Sequence, residues 1–342
     1  MAPVAAIDIS VVAPVLNERD CLPEFHQRIV GVLDKLHRPF EIILVDDGSR
    51  DDSWARIVAL SAGDPRVKGV RFTRNFGQHH ALSAGLERAR GEWVVLMDCD
   101  LQDRPEALPA LFEKAVAGCD VVLARRANRT DGSFKRATSR IFYALLNRLA
   151  EIRIDPSTAN FGVYHRRVVS ALRSFPEHHR FIPGLLSWSG YPASYVDVEH
   201  GTRHAGRTAY DFKRMWRLAT GVVLAHSDKP LRLSIHLGFS MAALSLGGVA
   251  WLVLRKLLWA LPVPGWTSVM VSLFFIGGLL IANMGMVGVY IGRIFEEVKA
   301  RPMYVARETV VFCPDDQPVA RAEAPPLLTA SNAPAPTRTG TP

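Results

Sequence analysis

The chain has 342 residues, of which 49% are hydrophobic and 22% charged, with a formal net charge of +8 at pH 7. It is too apolar to be disordered and long enough for one large domain plus a smaller unit. The positive charge asks for an anionic partner, and its placement between 125 and 217 and around Lys229, Arg232, Arg293, Lys299 and Arg301 favours phosphate groups and lipid headgroups over nucleic acid.

Residues 9–13 form a β-rich run, 21–36 carry helical spacing and 40–45 are strand-like again. This β-α-β rhythm continues with a helix over 53–61, a strand over 67–72, a helix over 79–90 and a strand over 93–97. An α/β domain with a mainly parallel sheet is predicted. In such sheets ligands sit beyond the carboxyl ends of the strands, where loops converge and helix N-termini offer unpaired N–H groups. Three polar motifs fall there: Pro14-Val15-Leu16-Asn17-Glu18, Asp46-Asp47-Gly48-Ser49 and Asp98-Cys99-Asp100-Leu101-Gln102-Asp103.

Further along, a strand is predicted over 120–124, a basic helix over 134–149 and an irregular segment over 155–162. Residues 210–224 alternate basic and apolar side chains at helical spacing, which suits a helix lying on a membrane surface. Two apolar stretches, 233–254 and 268–291, are each near the ~20 residues that a bilayer-spanning helix needs. Pro262, Pro264 and Gly265 separate them, and the short connection implies an antiparallel hairpin with Trp259 and Trp266 at an interface. Lys213, Arg214, Arg217, Lys229 and Arg232 before the hairpin, and Arg293, Lys299 and Arg301 after it, put both ends in the cytoplasm; Arg255 and Lys256 in the connection count weakly against this.

The predicted organisation is a cytoplasmic catalytic domain over 1–209, an interface helix and connector over 210–230, the hairpin over 231–293, a cytoplasmic segment over 294–313 and a disordered tail over 314–342. On that plan, ending the chain at 231 leaves a soluble domain. Cys21, Cys99, Cys119 and Cys313 show no C-x-x-C spacing, so a reducing compartment is expected, and the first ten residues lack the pattern of a cleavable signal peptide.

Asp98 and Asp100 are two hard oxygen donors at a strand end, a pair that suits Mg²⁺ or Mn²⁺ bridging a diphosphate. Alone, such a pair is more often a solvated turn; Leu101-Gln102-Asp103, Pro105-Glu106 and the preceding apolar strand make it specific. Arg126, Lys135, Arg136, Arg203 and Arg207 are candidates to grip two phosphate groups, because guanidinium forks hold oxyanions in a fixed geometry. A solvated basic face is the alternative for each. The histidine pairs His79-His80 and His178-His179 show no metal-ligand spacing and are expected to pack, with His79 the one exception worth following.

The motifs Pro14-x-x-Asn17-Glu18, Val45-Asp46-Asp47-Gly48-Ser49, Arg74-Asn75-Phe76-Gly77-Gln78-His79, Asp98-x-Asp100, Arg203-x-x-Gly206-x-Thr208-x-Tyr210 and Tyr290-Ile291-Gly292-Arg293-Ile294 follow one another in order. With them, residues 11–304 resemble the family 2 glycosyltransferases of GT-A-type fold. Within these the chain is similar to the polyprenyl-phosphate sugar transferases, which include dolichol-phosphate mannose synthases and bacterial undecaprenyl-phosphate transferases. Residues 75–79, 180–183 and 290–304 look most like the transferase that places formamido-arabinose on undecaprenyl phosphate.

The resemblance implies a nucleotide-sugar donor, a polyprenyl-phosphate lipid acceptor, a divalent metal and a multi-pass protein of the inner membrane whose catalytic domain is cytoplasmic. It implies that Pro14, Glu18 and Asp47, with Asn17 and Asp46 of the same motifs, serve the base and ribose pocket, and that Asp98, Asp100 and Gln102 hold the metal. Arg203, Arg207, Thr208 and Tyr210 match a loop expected to order over bound substrate. One departure stands out: many relatives have Gly-Asp-Phe or Gly-Asp-Tyr where this chain has Ala159-Asn160-Phe161. Either Asp155 supplies that carboxylate, or a phosphate nucleophile needs none. A processive polysaccharide synthase is disfavoured because no Gln-x-x-Arg-Trp motif is found, and a non-catalytic membrane scaffold or lipid-translocation partner because Asp98, Asp100 and Arg203 are intact. Neither the sugar nor a homo-oligomeric state follows from this reading.

Overall fold

The computed structural model describes residues 7–126, 158–178, 180–198, 229–259, 265–313 and 316–321. Its centre is four parallel strands, β1 (Ile9–Val15), β2 (Phe40–Asp46), β3 (Val67–Phe72) and β4 (Trp93–Leu96), in the spatial order β3-β2-β1-β4. Successive side chains of a strand point to opposite faces. Val11, Ala13 and Val15 bury one face with Ile42 and Leu44, while Val12, Ile43 and Val45 bury the other. Apolar residues at every position are what a sheet covered on both sides requires.

Helices supply the two covers. α1 (Leu22–Lys35) turns Leu22, Phe25, Ile29 and Leu33 inward at three- and four-residue spacing, with Pro23 and Glu24 in its first turn and Lys35 in its last. Burying Phe25 alone contributes about 1.5–3 kcal/mol. α2 (Ser53–Gly63) shares that face. On the other face lies α3 (Gln78–Arg88), whose Gly85 allows a close approach: a Cβ there would stand 2.2 Å from Val12 Cγ1. That contact sets α3 on β1 and brings its N-terminus to the carboxyl ends of the strands.

The sheet continues through β5 (Val121–Arg126), β6 (Thr158–His165) and β7 (Ala193–Val198), with β6 antiparallel between β4 and β5, and β7 parallel to β5. α4 (Leu108–Val116), α5 (Arg166–Ser174) and α6 (Ile182–Ser189) complete the covers. The irregular segment predicted over 155–162 is corrected from Thr158 onward, since those residues are β6. Its polar, non-alternating sequence hides the strand; Gly162, whose Cβ would meet Leu123 Cδ2 at 2.7 Å, is there because β5 approaches closely.

Two long helices follow, α7 (Lys229–Trp259) and α8 (Trp266–Val298), joined by a hydrogen bond from Ser234 Oγ to Met286 Sδ of 2.8 Å. Among the described residues, Phe275–Val298 is one stretch long and apolar enough to cross a membrane by length and composition. Its side chains face outward, Ile281 at 74% and Met284 at 75% exposure, the reverse of the helices on the sheet. The predicted helices over 134–149 and 210–224 lie outside the described residues.

After α8 the chain returns to the sheet. β8 (Ala306–Cys313) pairs antiparallel with β3, and β9 (Asp316–Arg321) pairs with β8, so that only β6 and β8 oppose the direction of the other strands. The ring of Tyr304 stacks on Phe72 at 4.8 Å, and Thr73 N–H donates to Val305 O at 3.0 Å. The predicted disordered tail is thus corrected at its start. Backbone pairing on a sheet edge needs few apolar side chains, which is why composition misses β9. Ending the chain at 231 would also strip the edge strand β8 from β3.

Candidate active site

The loops after β1, β2, β3 and β4 surround a cavity of about 380 Å³ lined by Pro14, Val15, Leu16, Glu18, Asp47, Asn75, Gly77, Gln78, Asp98, Cys99 and Asp100. Five of the residues singled out from sequence, Pro14, Glu18, Asp47, Asp98 and Asp100, meet there. A larger and shallower recess of about 800 Å³ runs along α1 from Asp20 to Lys35. Its guanidinium, Arg28, is already bound to Glu24 at 3.2 Å and Glu106 at 2.7 Å, away from the strand ends.

The cavity walls are tied together by carboxylates. Asp47 is buried and accepts from Phe76 N–H at 2.7 Å and Gly77 N–H at 2.9 Å, which clamps the 74–77 loop to the end of β2. Burial pushes the Asp47 carboxyl up and these N–H groups oppose it. Gly48, at φ +70°, makes the clamp possible, because a Cβ there would lie 2.4 Å from the Arg74 carbonyl carbon. Asp46 points away from the cavity: Oδ1 accepts from Ser49 N–H at 2.9 Å and Oδ2 stands 3.6 Å from Arg71 Nε. Asn17 is also a turn-former, with φ 57°, N–H to Ser49 Oγ at 3.0 Å and Oδ1 accepting from Arg50 N–H at 2.8 Å. Neither Asp46 nor Asn17 is among the residues that line the cavity.

The acidic loop after β4 holds an unusual backbone. Leu101 is buried with φ 60°, a left-handed conformation that costs a branched residue about 1–3 kcal/mol. It is retained because Gln102 N–H donates to Asp100 Oδ1 at 3.1 Å. Gln102 contributes this backbone donor and is not among the residues that line the cavity. Asp103 is buried, with Arg126 Nη2 3.8 Å away, so Arg126 braces the loop from β5. Arg136, Lys135, Arg203, Arg207, Thr208 and Tyr210, like Asp155, lie outside the described residues.

Two residues that sequence reading left out of the site complete it. Gln78 Nε2 donates to Asp98 Oδ1 at 2.7 Å, and Asn160 Nδ2 donates to Asp98 Oδ2 at 3.2 Å. Gln78 stood in a recognised motif, and Asn160 was visible only as a departure from the family pattern. Burial, followed by the charges of Asp100 and Asp103, raises the Asp98 carboxyl to about 7 against the pull of these two amides. By surface area Asp98 is only half-buried, so the crowding comes from the cavity floor around it. His79 stands edge-on to Phe181 at 5.2 Å, and burial pushes it down to about 4, so it is a neutral packing residue. Cys99 donates to Pro14 O at 3.3 Å and burial holds its thiol well above the usual range.

The donor set fits Mg²⁺ or Mn²⁺. Both carboxylates are hard ligands, and their burial and mutual repulsion are relieved by a cation. Among the described residues no three His, Cys, Asp or Glu side chains gather closely enough to hold a metal by themselves. Such ions characteristically take one or two carboxylates and complete their shell with substrate phosphate and water.

Residues 10–173 match the model of glycosyl transferase family 2. A bactoprenol glucosyl transferase of Shigella phage SfII is 38% identical over 302 residues, 88% of this chain and 98% of the relative. The chain belongs to glycosyl transferase family 2. It is a glycosyltransferase with a GT-A-like α/β domain. An uncharacterized glycosyltransferase of Synechocystis is 37% identical over 303 residues, 88% of this chain and 95% of its own. The undecaprenyl-phosphate 4-deoxy-4-formamido-L-arabinose transferase of Shewanella sediminis is 33% identical over 307 residues, covering 89% and 92%.

Proposed function

We propose that this glycosyltransferase moves a sugar, with inversion, from a nucleotide-diphosphate sugar to a polyprenyl phosphate at the cytoplasmic face of the inner membrane. The observation that carries the reading is the cavity that Pro14, Glu18 and Asp47 line together with Asp98 and Asp100. Relatives that match along nearly their whole length are named for bactoprenol and undecaprenyl-phosphate transfer, which supports the lipid acceptor. The outward-facing apolar length of α8 supports a membrane location, and the α7–α8 pair is read as a two-span hairpin.

Pro14, Glu18 and Asp47 would receive the base and ribose, and Asp98 and Asp100 would hold Mg²⁺ or Mn²⁺ beside the diphosphate. A cation there supplies charge compensation for the departing diphosphate. A phosphate oxygen of the lipid attacks the anomeric carbon from the side opposite the diphosphate; the new C–O bond forms as the bond to the diphosphate breaks. The products are the sugar-phosphate lipid and a nucleoside diphosphate. A phosphate monoester, with a second pKa of ~6, is largely dianionic at neutral pH, so no general base is needed. On this reading no carboxylate is needed at position 160, where this chain has Asn160. Arg126 braces Asp103 from β5, while Lys135, Arg136, Arg203 and Arg207, with Thr208 and Tyr210, are assigned from sequence to the phosphates and the covering loop.

The test is to incubate the purified protein with undecaprenyl phosphate, Mn²⁺ or Mg²⁺ and a panel of UDP-, GDP- and dTDP-sugars, scoring lipid-linked sugar. One donor is expected to give product. No product with any donor, together with no nucleotide binding, would sink the reading.

A further inference from the structure

Asp98 is held by two side chains that reach it from separate parts of the fold. In the antiparallel ladder between β4 and β6 the last pair is Leu96 with Gly162. Continued two positions, that register sets Asp98 opposite Asn160, whose Nδ2 lies 3.2 Å from Oδ2. The other donor comes from the opposite wall. Asp47 fixes Phe76 and Gly77, Gly77 takes φ 109°, and Gln78 then opens α3 with Nε2 2.7 Å from Oδ1. Each carboxylate oxygen thus receives one hydrogen bond from a rigid element, and the rotation of the carboxylate about its own axis is fixed.

The chemistry of the donors matters as much as their geometry. A carboxamide N–H satisfies an oxygen without bringing charge, whereas an arginine or lysine in either place would neutralise Asp98 and compete with a cation.

We propose that Asn160 and Gln78 are positioning residues that fix the Asp98 carboxylate in the orientation in which it takes a divalent cation. The proposal rests on the reading of Asp98 as a cation ligand. Both side chains are exposed, so truncating either empties no core.

The experiment is a titration of full-length protein in detergent with Mn²⁺ in the presence of UDP, following free Mn²⁺ by electron paramagnetic resonance, with UDP binding measured separately in chelator. Asn160→Ala and Gln78→Ala should each weaken Mn²⁺ binding by ~10–100-fold, the range for partners that orient a metal ligand. For Asn160→Ala, whose side chain is not among those lining the cavity, UDP binding in chelator should stay within about 2-fold, a margin under 0.5 kcal/mol. Asn160→Leu, similar in volume but without the donor, should behave like Asn160→Ala. Mn²⁺ binding that is unchanged in Asn160→Ala, or restored in Asn160→Leu, would overturn the proposal, since the side chain would then only fill space. Failure of the underlying reading looks different: Asp98→Ala itself would leave Mn²⁺ binding unchanged, or the unmodified protein would bind none.

Discussion

Asp64 and Asp98 lie at opposite edges of the same sheet and meet opposite surroundings. Asp64, between α2 and β3, accepts from Arg66 Nε and Nη2 at 2.9 Å each, from Arg66 N–H at 2.9 Å, and faces His26 Nε2 at 3.1 Å. Burial pushes its carboxyl up, but these donors outweigh burial and hold it at about 2. At the same edge Glu41 is buried between Ser10 and Lys68. Among the described residues Asp98 accepts from the amides of Gln78 and Asn160, and its carboxyl stands at about 7. The amino edge is completed by the protein's own cations, whereas among the described residues Asp98 meets amides and no cation. A divalent cation bound at Asp98 would offset the charge of the two carboxylates.

Several substitutions test the contrast. The largest effect is expected from Asp100→Ala, which removes a cation ligand without touching an apolar span. Sugar transfer should fall by at least ~10²–10³-fold, equivalent to the several kcal/mol that a cation supplies, while membrane fractionation stays unchanged. Retained transfer would remove Asp100 from the chemistry. Gly48→Ala should cost about 1–3 kcal/mol by driving a Cβ into the Arg74 backbone, read as a lowered Tm with a raised nucleotide KM. An unchanged Tm would mean that the 74–77 loop yields freely.

Smaller effects separate the two aspartates by sign. The Asp64 carboxyl lies below its usual 3.8, so its stabilisation is complete above about pH 4 and is lost as the pH falls through about 2. Asp64→Asn should therefore cost about 2 kcal/mol at pH 7 and nothing once both states are protonated, as measured by denaturant unfolding across pH. The Asp98 carboxyl lies above its usual value, so its charge destabilises the metal-free protein fully above about pH 7 and not at all below about 4. In chelator at pH 8, Asp98→Asn should raise stability by roughly 1 kcal/mol, a figure reduced for solvent access. Loss of stability there would erase the contrast.

Much of this was legible in the sequence because the signals are local. Strands at 9–13, 40–45, 67–72 and 93–97 show as short apolar runs, and acids directly after them mark where loops converge. Pro14, Glu18, Asp47, Asp98 and Asp100 were found that way. Asn17 and Asp46 share those motifs yet serve the turns, because alternation along the backbone sends neighbours to different sides. Asn160 reaches Asp98 through a register set across 62 positions, and no local pattern encodes it. β6 and β8 escaped for the same reason, since each takes its place from a partner strand distant in sequence.

The pairing of β8 with β3 also orders events during synthesis. Phe72 and Ala306 are partners across 234 positions, and α7 and α8 lie between them. At ~5–20 residues per second, β3 waits about 10–50 s for its neighbour. During that interval its edge N–H and C=O groups are open to other chains, as unpaired edges are. Maturation of the sugar-handling sheet is thereby linked to emergence of the two long helices, and a chain stalled before them carries an unfinished, adhesive sheet.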